Sequence, residues 1–155
     1  ASTGVLTGVT PGSARVQASV GALGSGLITF AVVPAPDTLV LPGDSSFTVA
    51  RDAATLPDLV TRLDSFNPAG PLPGRGVIYA ITSPDPAAAP PAVLLSGDVA
   101  SDTLITGADG TATATLAVLP GATAPDSVIV EVRAEHTRGA AVTGSGQRFI
   151  VRFQP

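Results

Sequence analysis

Glycine and proline, 17 and 15 of 155 residues, break this chain at short intervals, and no stretch between the breaks keeps a helical apolar period. A glycine costs a helix interior about 1 kcal/mol and a proline about 3, so extended segments are what such a chain has left. The segments between breaks alternate with period two and favour β-branched residues, the mark of many short, half-buried strands.

The alternation also assigns faces. Ala14 to Val20 sets Val16, Ala18 and Val20 against Arg15, Gln17 and Ser19, and Leu27 to Val33 is nearly continuous apolar. Ser46 to Ala50 is a short strand; Leu56 to Phe66 sets Leu59, Thr61 and Leu63 against Val60, Arg62 and Asp64. Val77, Tyr79 and Ile81 oppose Ile78, Ala80 and Thr82, and short strands at Ala92 to Ser96 and Thr103 to Thr106 flank an acidic turn. Gly110 to Leu119 turns Ala112, Ala114 and Leu116 inward and Thr111, Thr113 and Thr115 outward. Ser127 to Ala134 points Val128, Val130 and Val132 inward, as Gln147 to Phe153 does Phe149, Val151 and Phe153. Strands spaced by about 8–12 residues with turn signals between them predict an all-β sandwich. Ala53 to Leu59 carries a weak signal for one helical turn, with Pro57 inside it.

Composition narrows the class. Hydrophobic residues are 45% but aromatics only 4%, so the core is expected from Val, Leu, Ile and Ala. Without Cys there is neither a disulfide framework nor a thiolate metal site. Charged residues are 13%, about half the roughly 25% of soluble domains, which suits an extracellular scaffold better than a cytosolic enzyme. A net charge of −4 with eight scattered Arg lacks the basic stripe that nucleic acid needs. The longest apolar run, Leu27 to Val33, is too short for a membrane span, which takes about 20 residues. A chain that starts at Ala1 and lacks Met is expected to be a processed form or a fragment, exported behind a cleaved signal to the cell surface or beyond.

Two stretches echo each other. Val5-Leu6-Thr7-Gly8 followed by Gly12-Ser13-Ala14 parallels Leu104-Ile105-Thr106-Gly107 followed by Gly110-Thr111-Ala112, which suggests two copies of one sandwich with the first cut short. Residues 40 to about 153 resemble a bacterial immunoglobulin-like domain of group 1, the invasin and intimin type. The likeness rests on Leu56 to Asp64, Asn67 to Val77, Thr106 to Ala112 and the Val-rich strand at 128 to 134. Residues 1 to about 36 resemble the last part of a group 2 bacterial immunoglobulin-like domain, through Gly4 to Gly12 and the two strands after it. The resemblance implies surface display, stalks and adhesion, and brings no catalytic residues with it.

Individual residues add little chemistry. His136, in Glu135-His136-Thr137-Arg138, is the only His and reads as a loop residue. Gly21 to Gly26 contains Ser25 but not the spacing of a nucleophile elbow, and reads as a hairpin turn. Asp98, Asp102 and Asp109, with Asp44, Asp52, Asp85 and Asp126 in other loops, lack EF-hand spacing and suit turn formation. Tyr79, Phe149 and Phe153 read as core or strand-edge residues rather than a sugar-stacking platform. Pro84 to Pro91 reads as a stiff connection with a secondary reading as a contact or glycan-bearing surface, and Asn67, followed by Pro68, forms no sequon. No residue is assigned to catalysis, cofactor or metal.

The expectation is an all-β, immunoglobulin-like β-sandwich over 37–155, preceded by a partial three-strand sandwich over 1–36 and joined to it through Pro34-Ala35-Pro36 and Pro42. Three strands are marginal in water, so completion by another chain or a missing segment is expected, with self-association into a homopolymer by strand addition as the leading route. The function expected is a non-catalytic subunit or repeat of an extracellular bacterial fibre or stalk, with a surface protein or glycan as a further partner. The alternatives are an adhesin module and an accessory domain of a larger secreted enzyme.

Overall fold

The computed structural model describes residues 6–88, 91–136 and 139–155, and their regular structure is all strand. Strands β1 (Gly12–Val16), β2 (Ser19–Val20), β3 (Leu23–Gly24) and β4 (Ile28–Val32) form one long hairpin, β1 against β4 and β2 against β3. Eleven further strands follow. They are β5 (Thr38–Val40), β6 (Ser46–Ala50), β7 (Leu59–Phe66), β8 (Ala69–Pro71), β9 (Gly76–Ser83), β10 (Val93–Leu95), β11 (Ser101–Ile105), β12 (Thr111–Ala114), β13 (Leu116–Val118), β14 (Ser127–Arg133) and β15 (Gln147–Gln154).

These eleven build two main sheets. One has five strands in the order β11-β9-β14-β15-β6, antiparallel except for β6, which runs parallel to β15. The other runs β12-β7-β5, with β8 pairing to the end of β7. A short β10–β13 ladder lies beside them. The faces assigned by alternation meet in one core. Leu59, Leu63, Ala112 and Ala114 from the smaller sheet belong to the same buried cluster as Val77, Tyr79, Val128, Val130, Val132, Phe149 and Val151 from the larger. The result is an all-β, sandwich-like body with an aliphatic core, in keeping with the low aromatic content.

One polar link crosses that core. The Tyr79 hydroxyl on β9 lies 2.6 Å from Thr61 Oγ1 on β7 and donates to the Ala112 carbonyl on β12 at 2.7 Å. Both side chains are fully buried, and each polar atom is satisfied across the sheet-to-sheet gap, as burial demands. Thr61 therefore belongs on the inward face despite its hydroxyl.

Close backbone approaches fix two loops. Gly110, in the β11–β12 turn, has φ +75°, and a Cβ there would sit 2.7 Å from the Leu63 carbonyl oxygen and 2.9 Å from Leu72 N. Gly144, in the β14–β15 loop, lies against β5, where a Cβ would come within 2.1 Å of the Leu39 carbonyl oxygen. Leu39 N donates to the Thr143 carbonyl at 2.8 Å, so this loop closes the edge of the smaller sheet.

Four details differ from the sequence expectation. Ala53 to Asp58 is irregular chain with a bend at Ala54 and Thr55 and no helical turn, and β7 begins at Leu59. The single strand expected over Gly110 to Leu119 is two, because β12 pairs with β7 only as far as Ala114 and β13 pairs with β10 from Leu116. Strands β5 and β8 arise in Pro-bounded stretches that read as joint and turn. At the N-terminus, residues 6–36 hold one hairpin of four short strands rather than a three-strand sheet; Leu6 to Thr10 is not strand, and Val5 lies outside the described residues.

Candidate interaction surface

The sandwich buries its apolar faces and the hairpin does not. In the β1–β4 ladder Gly12 pairs with Val32, Ala14 with Phe30 and Val16 with Ile28, while Ser13 pairs with Ala31 and Arg15 with Thr29. Because neighbouring residues in a strand point to opposite faces, one face carries Ala14, Val16, Ile28, Phe30 and Val32 and the other Ser13, Arg15, Thr29 and Ala31. The apolar face is open: Ile28 is 58% exposed and Phe30 43%. Eight of the eleven large apolar side chains exposed among the described residues lie between Leu6 and Val33, although that stretch is under a fifth of the chain.

A trough of about 470 Å³ runs along this face, lined by Ala14, Val16, Phe30, Val32 and the Leu6–Gly8 stretch that folds over one end. Gly8 packs tightly against Val32 there, a Cβ being 2.6 Å from the Val32 Cγ1. Toward the tip, Val20 and Leu23 face each other across the β2–β3 ladder, both about 80% exposed. The tip is held by polar bonds: Ser25 Oγ accepts from Ala18 N at 3.0 Å and donates to the Gly26 carbonyl, and Gln17 Nε2 donates to the Ser25 carbonyl at 2.7 Å. Monomeric proteins rarely leave apolar residues so concentrated in water unless something covers them.

The remaining candidate residues are dispersed. His136 is half-buried in the β14–β15 loop, its backbone N–H donating to the Ala140 carbonyl; Thr137 and Arg138 lie outside the described residues. The aspartates serve turns and pairs. Asp109 Oδ1 accepts from Thr111 N at 3.0 Å and from Thr111 Oγ1 at 2.7 Å, and these bonds hold its carboxyl below the ordinary range. Asp85 Oδ1 accepts from Ala87 N, Asp102 Oδ1 from Thr103 N, and Asp126 pairs with Arg51. Asp98 occupies a turn at φ +59°, its N–H donating to the Leu95 carbonyl. Among the described residues no group of three His or acidic side chains comes together as a metal site. Tyr79, Phe149 and Phe153 are core, Phe149 stacking on Phe47 with ring centroids 6.4 Å apart. In the Pro84 to Pro91 connection, Ala89 and Pro90 lie outside the described residues.

No protein-family model matches the chain, and no curated protein sequence matches it. No helix among the described residues is long and apolar enough to cross a membrane.

The apolar hairpin was visible in sequence as two strands, and the shortage of partner strands over the first 36 residues already pointed to an open face; the side chains that line it come from the β1–β4 register. Alternation says which side chains share a face, and only the fold says whether another sheet covers that face.

Proposed function

We propose that this chain is a non-catalytic structural module of an extracellular bacterial fibre or stalk, an immunoglobulin-like sandwich that self-associates through its N-terminal hairpin. The uncovered apolar face of the β1–β4 ladder carries this reading. A two-stranded hairpin is marginal in water, and a third strand or a packed layer is what stabilises it. A second copy supplies both, by adding strands to the open edges of β1 and β4 and by covering Ile28 and Phe30. The contact is heterologous, hairpin to a different surface of the next subunit, so it propagates instead of closing. The immunoglobulin-like assignment draws support from the strand order of the two sheets and from the parallel pairing of β6 with β15. The low charge fits an exported scaffold.

The experiment is light scattering and electron microscopy on the full chain beside Phe30→Glu. Concentration-dependent growth into regular filaments by the parent, lost in Phe30→Glu with the sandwich still folded, is the expected result. A parent that stays monomeric at high concentration refutes self-association.

A further inference from the structure

We propose that Arg75 is a clasp that locks the linker between hairpin and sandwich, so that the hairpin projects in one fixed direction. The guanidinium Nη2 donates to the Pro34 carbonyl at 3.0 Å, across 41 positions of sequence. None of the ion pairs among the described residues includes Arg75; Nη2 bonds to the linker carbonyl, while the buried Nε has no hydrogen-bond partner.

The clasp is itself held. Thr106, 4% exposed, surrounds the Arg75 backbone with hydrogen bonds: Arg75 N donates to Thr106 Oγ1 at 2.9 Å and Thr106 N to the Arg75 carbonyl at 2.8 Å. The same hydroxyl donates to the Leu72 carbonyl at 2.7 Å, and the Thr106 carbonyl accepts from Gly74 N at 2.9 Å. These bonds fix the backbone point from which the Arg75 side chain reaches its acceptor. The far end of the linker is pinned separately, Asp37 N donating to the Asp64 carbonyl and Asp37 Oδ2 accepting from Phe66 N at 2.7 Å. Pro36, between the two anchors, is buried. Proline alone would give a stiff linker still free to swing at its ends; these bonds remove the swing. The base of the hairpin then meets the sandwich around a small cleft of about 160 Å³, where Val9 and Val32 face Asn67.

The chain has no Cys, so Ser13→Cys on the hairpin and Thr113→Cys on β12 place two spin labels at exposed sites. Pulsed electron–electron resonance on labelled chain diluted into unlabelled chain reads the intramolecular distance whether or not the protein self-associates. A narrow distribution in the parent, broadening about twofold or more in Arg75→Ala and partly restored in Arg75→Lys, is the expected result. The melting temperature of the sandwich stays unchanged in Arg75→Ala, because the Thr106 bonds are to backbone. A parent distribution that is already broad, or an Arg75→Ala distribution as narrow as the parent's, overturns the proposal. Broadening that comes with a lowered melting temperature also overturns it, since Arg75 would then hold the sandwich together and not the joint.

Discussion

Tyr79→Phe tests the buried Tyr79–Thr61–Ala112 link across the core, and two independent magnitudes follow from it. The hydroxyl it removes donates to the Ala112 carbonyl at 2.7 Å and lies 2.6 Å from Thr61 Oγ1. Each buried hydrogen bond is worth about 1 kcal/mol net, and leaving a buried partner unsatisfied costs about 1–3 kcal/mol. Thr61 Oγ1 keeps a fallback at 3.4 Å to the same carbonyl, so the loss falls toward the lower end, about 1–2 kcal/mol. Thr61→Val leaves the Tyr79–Ala112 bond in place and costs less, and a double-mutant cycle gives a coupling of about 1 kcal/mol. The second magnitude concerns pH. Burial pushes the Tyr79 phenol from 10.0 up to about 12, opposed in part by the Thr61 hydrogen bond. The unfolded chain ionises near the lower value and the folded one near the upper. This contribution is therefore complete below the unfolded value, falls as pH rises through the interval, and is lost above the folded value. The loss amounts to roughly 3 kcal/mol. Tyr79 is the only tyrosine and there is no Trp, so the tyrosinate absorbance titration reads this group alone. Urea unfolding at neutral and alkaline pH, on the parent and Tyr79→Phe, measures both effects. An alkaline decline in stability that is the same in parent and variant would refute the linkage argument. Equal stability at neutral pH would refute the hydrogen-bond one.

Other perturbations separate core, turn and surface. Gly110→Ala adds a Cβ at positive φ against the Leu63 carbonyl and Leu72 N, and is expected to cost about 1–3 kcal/mol by strain, read as a lowered urea midpoint with an unchanged slope. Leu63→Ala empties a fully buried site between the sheets and is expected to cost about 2–5 kcal/mol in the same assay. Phe30→Glu, by contrast, alters an exposed hairpin position and leaves the sandwich transition within about 0.5 kcal/mol of the parent while it abolishes growth in light scattering.

How much was legible in sequence depended on what each residue's position needed to specify. Strands with one covered face and one open face announce themselves: Val128, Val130 and Val132 alternate with Ile129 and Glu131, and Phe149, Val151 and Phe153 with Ile150 and Arg152. All six inward residues are buried. Thr61 and Tyr79 fit the same alternation, but nothing in their spacing says that the two hydroxyls meet. Strands β5 and β8 are three residues each, too short to show a period. Their existence depends on partners far along the chain, the Gly144 loop against Leu39 and the end of β7 against Ala69 to Pro71. Arg75 is the extreme case. Its neighbours Pro73, Gly74 and Gly76 mark a turn, and its role arises only because Thr106 and Pro34 are brought to it from 31 positions downstream and 41 upstream.

The hairpin and the β14–β15 pair show why an equal pattern gives an unequal outcome. Both set two antiparallel strands with an aromatic on their apolar face, Phe30 beside Ala14 in one and Phe149 beside Val130 in the other. Phe149 is 1% exposed because β7 and β12 lie over its face and β9 and β6 extend its sheet on either side. Phe30 has neither the cover nor the flanking strands, and its local sequence is no less suited to them. The difference is therefore one of partners and not of propensity, which is why the open face is the place where this chain has most to gain from a second polypeptide surface. Under the proposed self-association, the same comparison sets what the covering surface supplies: aliphatic side chains on alternate residues of an extended segment, with few charges.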